Sequence, residues 1–267
     1  MTYVLDPKSA VRHRLVIELR YESGELYWDR SGRIARTLAH REGWLTHSID
    51  TNGCHIQKED QNLVFSFSPT KLSLSQSQSQ DVSELLSSGE FAAIAEEFSE
   101  IVVNSLDVEF LPRMGFRAWV LYPTESLDDA SSRVSKMSFF APCKALTDLG
   151  QLSYISHSVV VARPDHMIRV AATPFEQQIN LAPSIVAAAR VRARDHWTKQ
   201  KQVLVDQLKA KKAIKAYPRM GIMVDMDAFI EDLQSAKQLP ICRFIDGATI
   251  DFNKISSTIL SEGDGMN

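Results

Sequence analysis

The sequence predicts an α+β protein, an antiparallel sheet with helices on one face, assembled from two halves of similar order. Three observations carry this expectation. Short alternations of apolar and polar residues recur with period two. The segment Ser83 to Ser105 repeats its apolar residues at helical spacing. The order strand, helix, strands, helix then starts again after about residue 107. The halves are placed at 1–106 and 107–267, a pseudo-repeat in order without sequence identity.

In the first half, Leu15, Ile17, Leu19 and Tyr21 alternate with Arg14, Glu18 and Arg20, the pattern of a half-buried strand. A helix is expected from Asp29 or Ser31, with Ile34, Ala35 and Leu38 on one side and Gly43 beyond its end. Trp44 to Gln57 reads as irregular strand. Leu63, Phe65 and Phe67, then Leu72 and Leu74 after Pro69-Thr70, form a hairpin. Its second strand runs into a Ser/Gln tract that suits either a polar linker or the exposed end of a strand. In the Ser83 to Ser105 helix, Phe91, Ile94, Ala95, Phe98, Ile101 and Val102 share one face, and Glu90, Glu96, Glu97 and Glu100 occupy the other. Gly89 is placed between a short first turn and the main helix.

In the second half, Arg113 to Tyr122 reads as a strand, and Thr124 or Ser126 caps a helix through Arg133 and Met137. A turn-rich stretch surrounds Pro142. Leu152 to Ala162 and Met167 to Ala172 form a hairpin around Arg163-Pro164-Asp165. A strand at Gly221 to Asp227 and one or two closing helices complete the half, the last near Ile250 to Leu260. About 45 residues separate the last two strands, where the first half needs two. So long a loop demands structure of its own. Val186, Ala189, Ala193, Trp197, Leu204 and Leu208 make a narrow apolar stripe, and neither Pro nor Gly interrupts Ser184 to Tyr217. A long helix inserted at about 175–218 is therefore expected.

That insert is also where the charge inverts. Arg190 to Arg219 holds ten Lys or Arg and two acids, a balance of +8, whereas the whole chain is −3 and the remainder therefore −11. Two acids supply few i,i+4 partners, so the helix calls for an anionic surface. Three surfaces qualify: nucleic acid, an acidic protein, or the glutamate side of the Ser83 to Ser105 helix in the same or a neighbouring subunit. Arg190, Arg192, Arg194, Lys199, Lys201, Lys209, Lys211, Lys212 and Lys215 supply the charge, and Trp197 stacks or packs.

Composition narrows the classes further. The start lacks the apolar core of a signal peptide, and no uncharged apolar run reaches the roughly 20 residues that span a bilayer. Three scattered cysteines, Cys54, Cys143 and Cys242, argue against a disulfide framework and for a reducing cytoplasm. The seven histidines do not cluster, and neither His40 and His47 nor His55 beside Cys54 has zinc-ligand spacing. Cys143 has Lys144 beside it but no histidine nearby in sequence, so it reads as a packed or surface thiol. With 11 glycines and no phosphate loop or nucleophile elbow, no cofactor and no catalytic residue is implied.

One motif invites an enzymatic reading. Val224-Asp225-Met226-Asp227-Ala228-Phe229 resembles the first metal motif of lesion-bypass DNA polymerases, since aspartates two apart on a strand project to one side. Only 38 residues follow Phe229, too few for the palm that completes such a site. The plainer reading has Ile222, Val224 and Met226 inward and two solvated aspartates outward.

The opening strand Val16 to Tyr21, the hairpin Val64 to Ser75, the helix Phe91 to Val102, the strand beginning Met114-Gly115-Phe116-Arg117 and the late strand Ile222 to Phe229 together resemble a sporadically distributed family of bacterial proteins without assigned function. The likeness spans most of the chain and departs from it at Pro174 to Pro218. The resemblance implies a mobile-element, defence or immunity context and carries over no functional residue. The resulting expectation is a cytoplasmic, non-enzymatic protein that engages nucleic acid or an acidic protein through its basic helix. The alternatives are a magnesium-dependent enzyme acting on nucleotides or nucleic acid through Asp225 and Asp227, and a structural subunit of an oligomer.

Overall fold

A computed structural model describes residues 10–23, 26–78, 85–137, 157–176, 220–231, 234–236 and 239–261. The fold is α+β. In chain order the elements are β1 (Val11–Arg20), α1 (Leu26–Ala39), β2 (Leu45–Ile49), β3 (Cys54–Lys58), β4 (Leu63–Phe67), β5 (Lys71–Ser77), α2 (Ser88–Ser105), β6 (Phe110–Leu111), β7 (Arg113–Pro123) and α3 (Leu127–Lys136). Then follow β8 (His157–Ala162), β9 (Met167–Glu176), β10 (Met220–Ile230), β11 (Gln234–Ser235) and α4 (Ile241–Ser261). Among the described residues nine strands make one antiparallel sheet in the order β2-β3-β4-β5-β1-β7-β10-β9-β8, and β6 pairs with β11 in a second, two-stranded sheet.

β1 and β7 lie side by side at the middle of the sheet. β5 flanks β1 on its other side and β10 flanks β7. Period-two alternation puts Leu15, Ile17 and Leu19 of β1 on the same face as Phe116 of β7 and Val224 of β10. The four described helices bury side chains against that face, among them Leu38, Phe98, Val134 and Ile245. The result is one continuous core across both halves. Phe116 of β7 and Phe252 of α4 stack with centroids 5.7 Å apart, and Phe98 of α2 meets Phe65 edge-on and Trp44 at 4.6 Å. Each such ring contributes about 1.5–3 kcal/mol through burial.

Several expectations are corrected in detail. α1 starts at Leu26, ahead of Asp29, because Tyr27 is buried and its hydroxyl donates to the Asp50 carbonyl at 3.0 Å. The irregular strand Trp44 to Gln57 is a hairpin, β2–β3. Asp50 turns the chain by accepting the N–H groups of Asn52 and Gly53 at 2.7 and 3.0 Å. α2 starts at Ser88. Ser87 and Glu90 form a reciprocal capping box, so Gly89 belongs to the first turn and separates nothing. The Ser/Gln tract is strand up to Ser77, and Gln76 is buried at 1% exposure. Its amide donates to the Gln61 carbonyl and its oxygen accepts the N–H of Leu86. β9 continues through Pro174 to Glu176. The described pairing of β8 with β9 runs from Ala162–Met167 to His157–Ala172, and 152–156 of the expected strand lie outside the described residues. Among the described residues a single helix, α4, follows β11. The turn-rich stretch around Pro142 and the inserted helix at about 175–218 lie outside the described residues.

Glu176 and Met220 are register partners, so the intervening 43 residues leave and re-enter the sheet at one end, between adjacent strands. Gly221, next along, is required by close approach. A Cβ there would lie 2.3 Å from the Tyr122 carbonyl oxygen.

Candidate functional site: a charge lattice on the open sheet face

On the sheet face turned away from the helices, residues of adjacent strands fall into rows. One row runs Ser77, Arg14, Trp119, Asp225, Ala171, and the next Ser75, Val16, Arg117, Asp227, Arg169. Arg117 reaches diagonally to Asp225 in a two-pronged pair, Nε to Oδ1 at 2.7 Å and Nη2 to Oδ2. That bond raises the Arg117 pKa further, against the opposing effect of partial burial. The same guanidinium lies 4.2 Å from the centre of the Trp119 ring, and Arg14 lies at 5.3 Å. One indole thus holds two cations by cation–π contact.

Asp227 is held differently. Arg169 Nη2 donates to Oδ2 at 3.1 Å, and Arg113 Nη2 approaches the same oxygen at 3.7 Å. Its side chain is only 10% exposed, and burial raises its pKa despite the opposing charges of Arg113, Arg169 and Arg117. Arg113 links outward to Glu18 at 3.5 Å and Glu231 at 3.8 Å, and also lies over Phe229. Glu18 further binds Arg20 at 3.0 Å and Lys71 at 3.7 Å. Six cations meet four carboxylates here, and the excess is positive.

Asp225 and Asp227 therefore share a face, as their spacing dictates, but they are not the solvated pair the plainer sequence reading describes. Guanidinium groups occupy both carboxylates. Among the described residues, no group of three His, Cys, Asp or Glu is placed to hold a metal ion. Arg190, Arg192, Arg194, Trp197, Lys199, Lys201, Lys209, Lys211, Lys212 and Lys215 lie outside the described residues, as does Cys143. Cys54 is buried with its thiol pushed up to about 12. Burial and a hydrogen bond to Glu96 push the Cys242 thiol up to about 11, so neither is a ready nucleophile.

Sequence reasoning missed the arginines. The alternation of Arg113, Arg117 and Trp119 along one strand was available as a signal, but their partners arrive from β10 and β9, which no local pattern pairs with β7. It also missed His166. In the β8–β9 turn, His166 Nδ1 lies 2.9 Å from Asp165, and Nε2 lies 3.2 Å from Asp251 of α4. Nε2 has no hydrogen-bond partner among the described residues. Arg163 joins the same Asp251 at 3.3 Å, so the turn is tied to α4. The hydrogen bond from His166 holds the Asp165 carboxyl below the usual range.

No protein-family model and no curated protein matches the chain. Among the described residues, no helix is long and apolar enough to cross a membrane.

Proposed function

We propose that this is a non-enzymatic binding protein for an anionic partner, with nucleic acid as the partner its chemistry favours. The observation that carries this reading is the distribution of charge. A segment of balance +8 is rooted between β9 and β10, the two strands that supply Asp225, Asp227 and Arg169 to the charge lattice. Guanidinium groups and an indole are the side chains that hold phosphate and stack with bases. The resemblance to a sporadically distributed bacterial family is what suggests a defence or mobile-element context for this binding. The same resemblance in order between the halves supports a pseudo-two-fold relation, in which the units beginning at β1 and β7 superpose.

The test uses the register of Glu176 and Met220. Replacing 177–219 with Asn-Gly, the pair that favours a two-residue hairpin, should join β9 to β10 and leave the sheet intact. The full chain should bind labelled DNA with affinity falling steeply in salt, at a log–log slope near −0.9 per phosphate contact. The excised chain should lose that binding. Changing Lys209, Lys211, Lys212 and Lys215 to Gln should flatten the slope. A pull-down with and without nuclease separates nucleic acid from an acidic protein. Failure of the full chain to bind either partner at low salt overturns the proposal.

A further inference from the structure

On the helix-covered face, at the end of the sheet where β1 begins and β7 ends, lies a cavity of about 310 Å³. Its walls come from β1, the start of α2, β7, β10 and α4. Phe116, Ala118, Met226 and Phe252 make an apolar interior, with Tyr122 beside it and Ser256 Oγ donating to Met226 Sδ at 3.7 Å. Two features are unusual for a packing defect. Thr249 Oγ1, in the α4 wall, is buried without a hydrogen-bond partner among the described residues. A buried hydroxyl left so forfeits free energy that a polar group entering the cavity restores. Arg12, the one charged residue lining the cavity, is exposed and belongs to no ion pair among the described residues. The arginines of the opposite face, by contrast, are matched to carboxylates or lie against rings.

An apolar interior, an orphan hydroxyl and a single cation at the rim that has no ion-pair partner among the described residues define a ligand by complementarity. The volume is at the lower end of small-molecule sites. We infer that this cavity binds a small amphipathic acid, one or two rings in size, with its apolar body against Phe116 and Met226 and its anionic group at Arg12. The site lies on the opposite side of the sheet from the charge lattice, and it does not depend on the nucleic-acid reading.

The probe is 2-naphthoate, with the neutral 2-naphthamide as its partner, titrated into the full chain and followed by ligand fluorescence and the Met226 methyl resonance. Saturable one-to-one binding of naphthoate that shifts the Met226 methyl is expected. Arg12→Gln should weaken naphthoate about tenfold, as befits loss of a charge-assisted contact, and leave naphthamide unchanged. Ala118→Leu should abolish both by filling the cavity. Should that variant fail to fold, Thr249→Leu, which fills the space from the α4 side, tests the same point. Absence of naphthoate binding, binding that leaves Met226 unmoved, or equal affinity in Arg12→Gln would each overturn the inference.

Discussion

Asp225 and Asp227 sit two residues apart on one face and yet differ in what holds them. Asp225 is gripped by both prongs of Arg117, so Asp225→Asn should lower stability by about 1 kcal/mol, as befits a partly buried charged pair. Asp227 is the more buried, and its folded pKa lies above the ordinary carboxyl value. Its native carboxyl therefore binds a proton more tightly than the unfolded chain does. That contribution to stability is fullest below the unfolded value of 3.8 and is lost as pH rises through the folded pKa. Thermal melts should consequently show Asp227→Asn equal to or above the parent at pH 7, with its relative position worsening toward pH 3.5. The thiols give a second check at this scale. In a Cys143→Ser chain, a disulfide reagent at pH 8 should find no reactive thiol in the native protein and two after denaturation, because Cys54 and Cys242 hold their protons to about 12 and about 11.

Among the elements, local chemistry sets the boundaries that hold best. Ser87 caps α2 by accepting the N–H of Glu90, and Ser87→Ala should cost about 1 kcal/mol, read as a melting shift of about 2–4 °C. Gly221→Ala should be worse, at about 3 kcal/mol by chemical denaturation, because the added methyl meets the Tyr122 carbonyl rather than a side chain able to yield. These elements also show what a sequence can disclose. Strands with strict alternation, such as β1, β4 and β5, and helices with a cap and an apolar stripe, such as α2 and α3, are legible because their signals lie within a few residues. The β2–β3 turn was missed although Asp50 to Gly53 spells it, because Leu45 and Ile49 are exposed and break the expected burial pattern. The charge lattice was illegible for a different reason. Arg117 and Asp225 are 108 residues apart, and only the β7–β10 register brings them together.

For the whole molecule, the central seam between β1 and β7 decides how the halves depend on one another. Phe91 and Phe98 of α2 pack in the same core as Phe116 and Phe252, which belong to the second half. A fragment of residues 1–106 would leave that surface and one side of β1 uncovered. Expressed alone it should aggregate or bind a hydrophobic dye, and co-expression with 107–267 should restore a soluble complex in size-exclusion chromatography.

The seam also fixes an order of events on the ribosome. β1 pairs Arg14 with Trp119, so its partner strand is synthesised about a hundred residues later, a delay of several seconds at ordinary elongation rates of about 5–20 residues per second. During that interval β1 can dock on β5 alone, with its other edge waiting. The outward row of that edge carries Arg14, Glu18 and Arg20. Charges on a waiting edge discourage pairing with the nascent chain of a neighbouring ribosome. These same side chains later join the finished lattice, with Glu18 bound by Arg20 and Arg113.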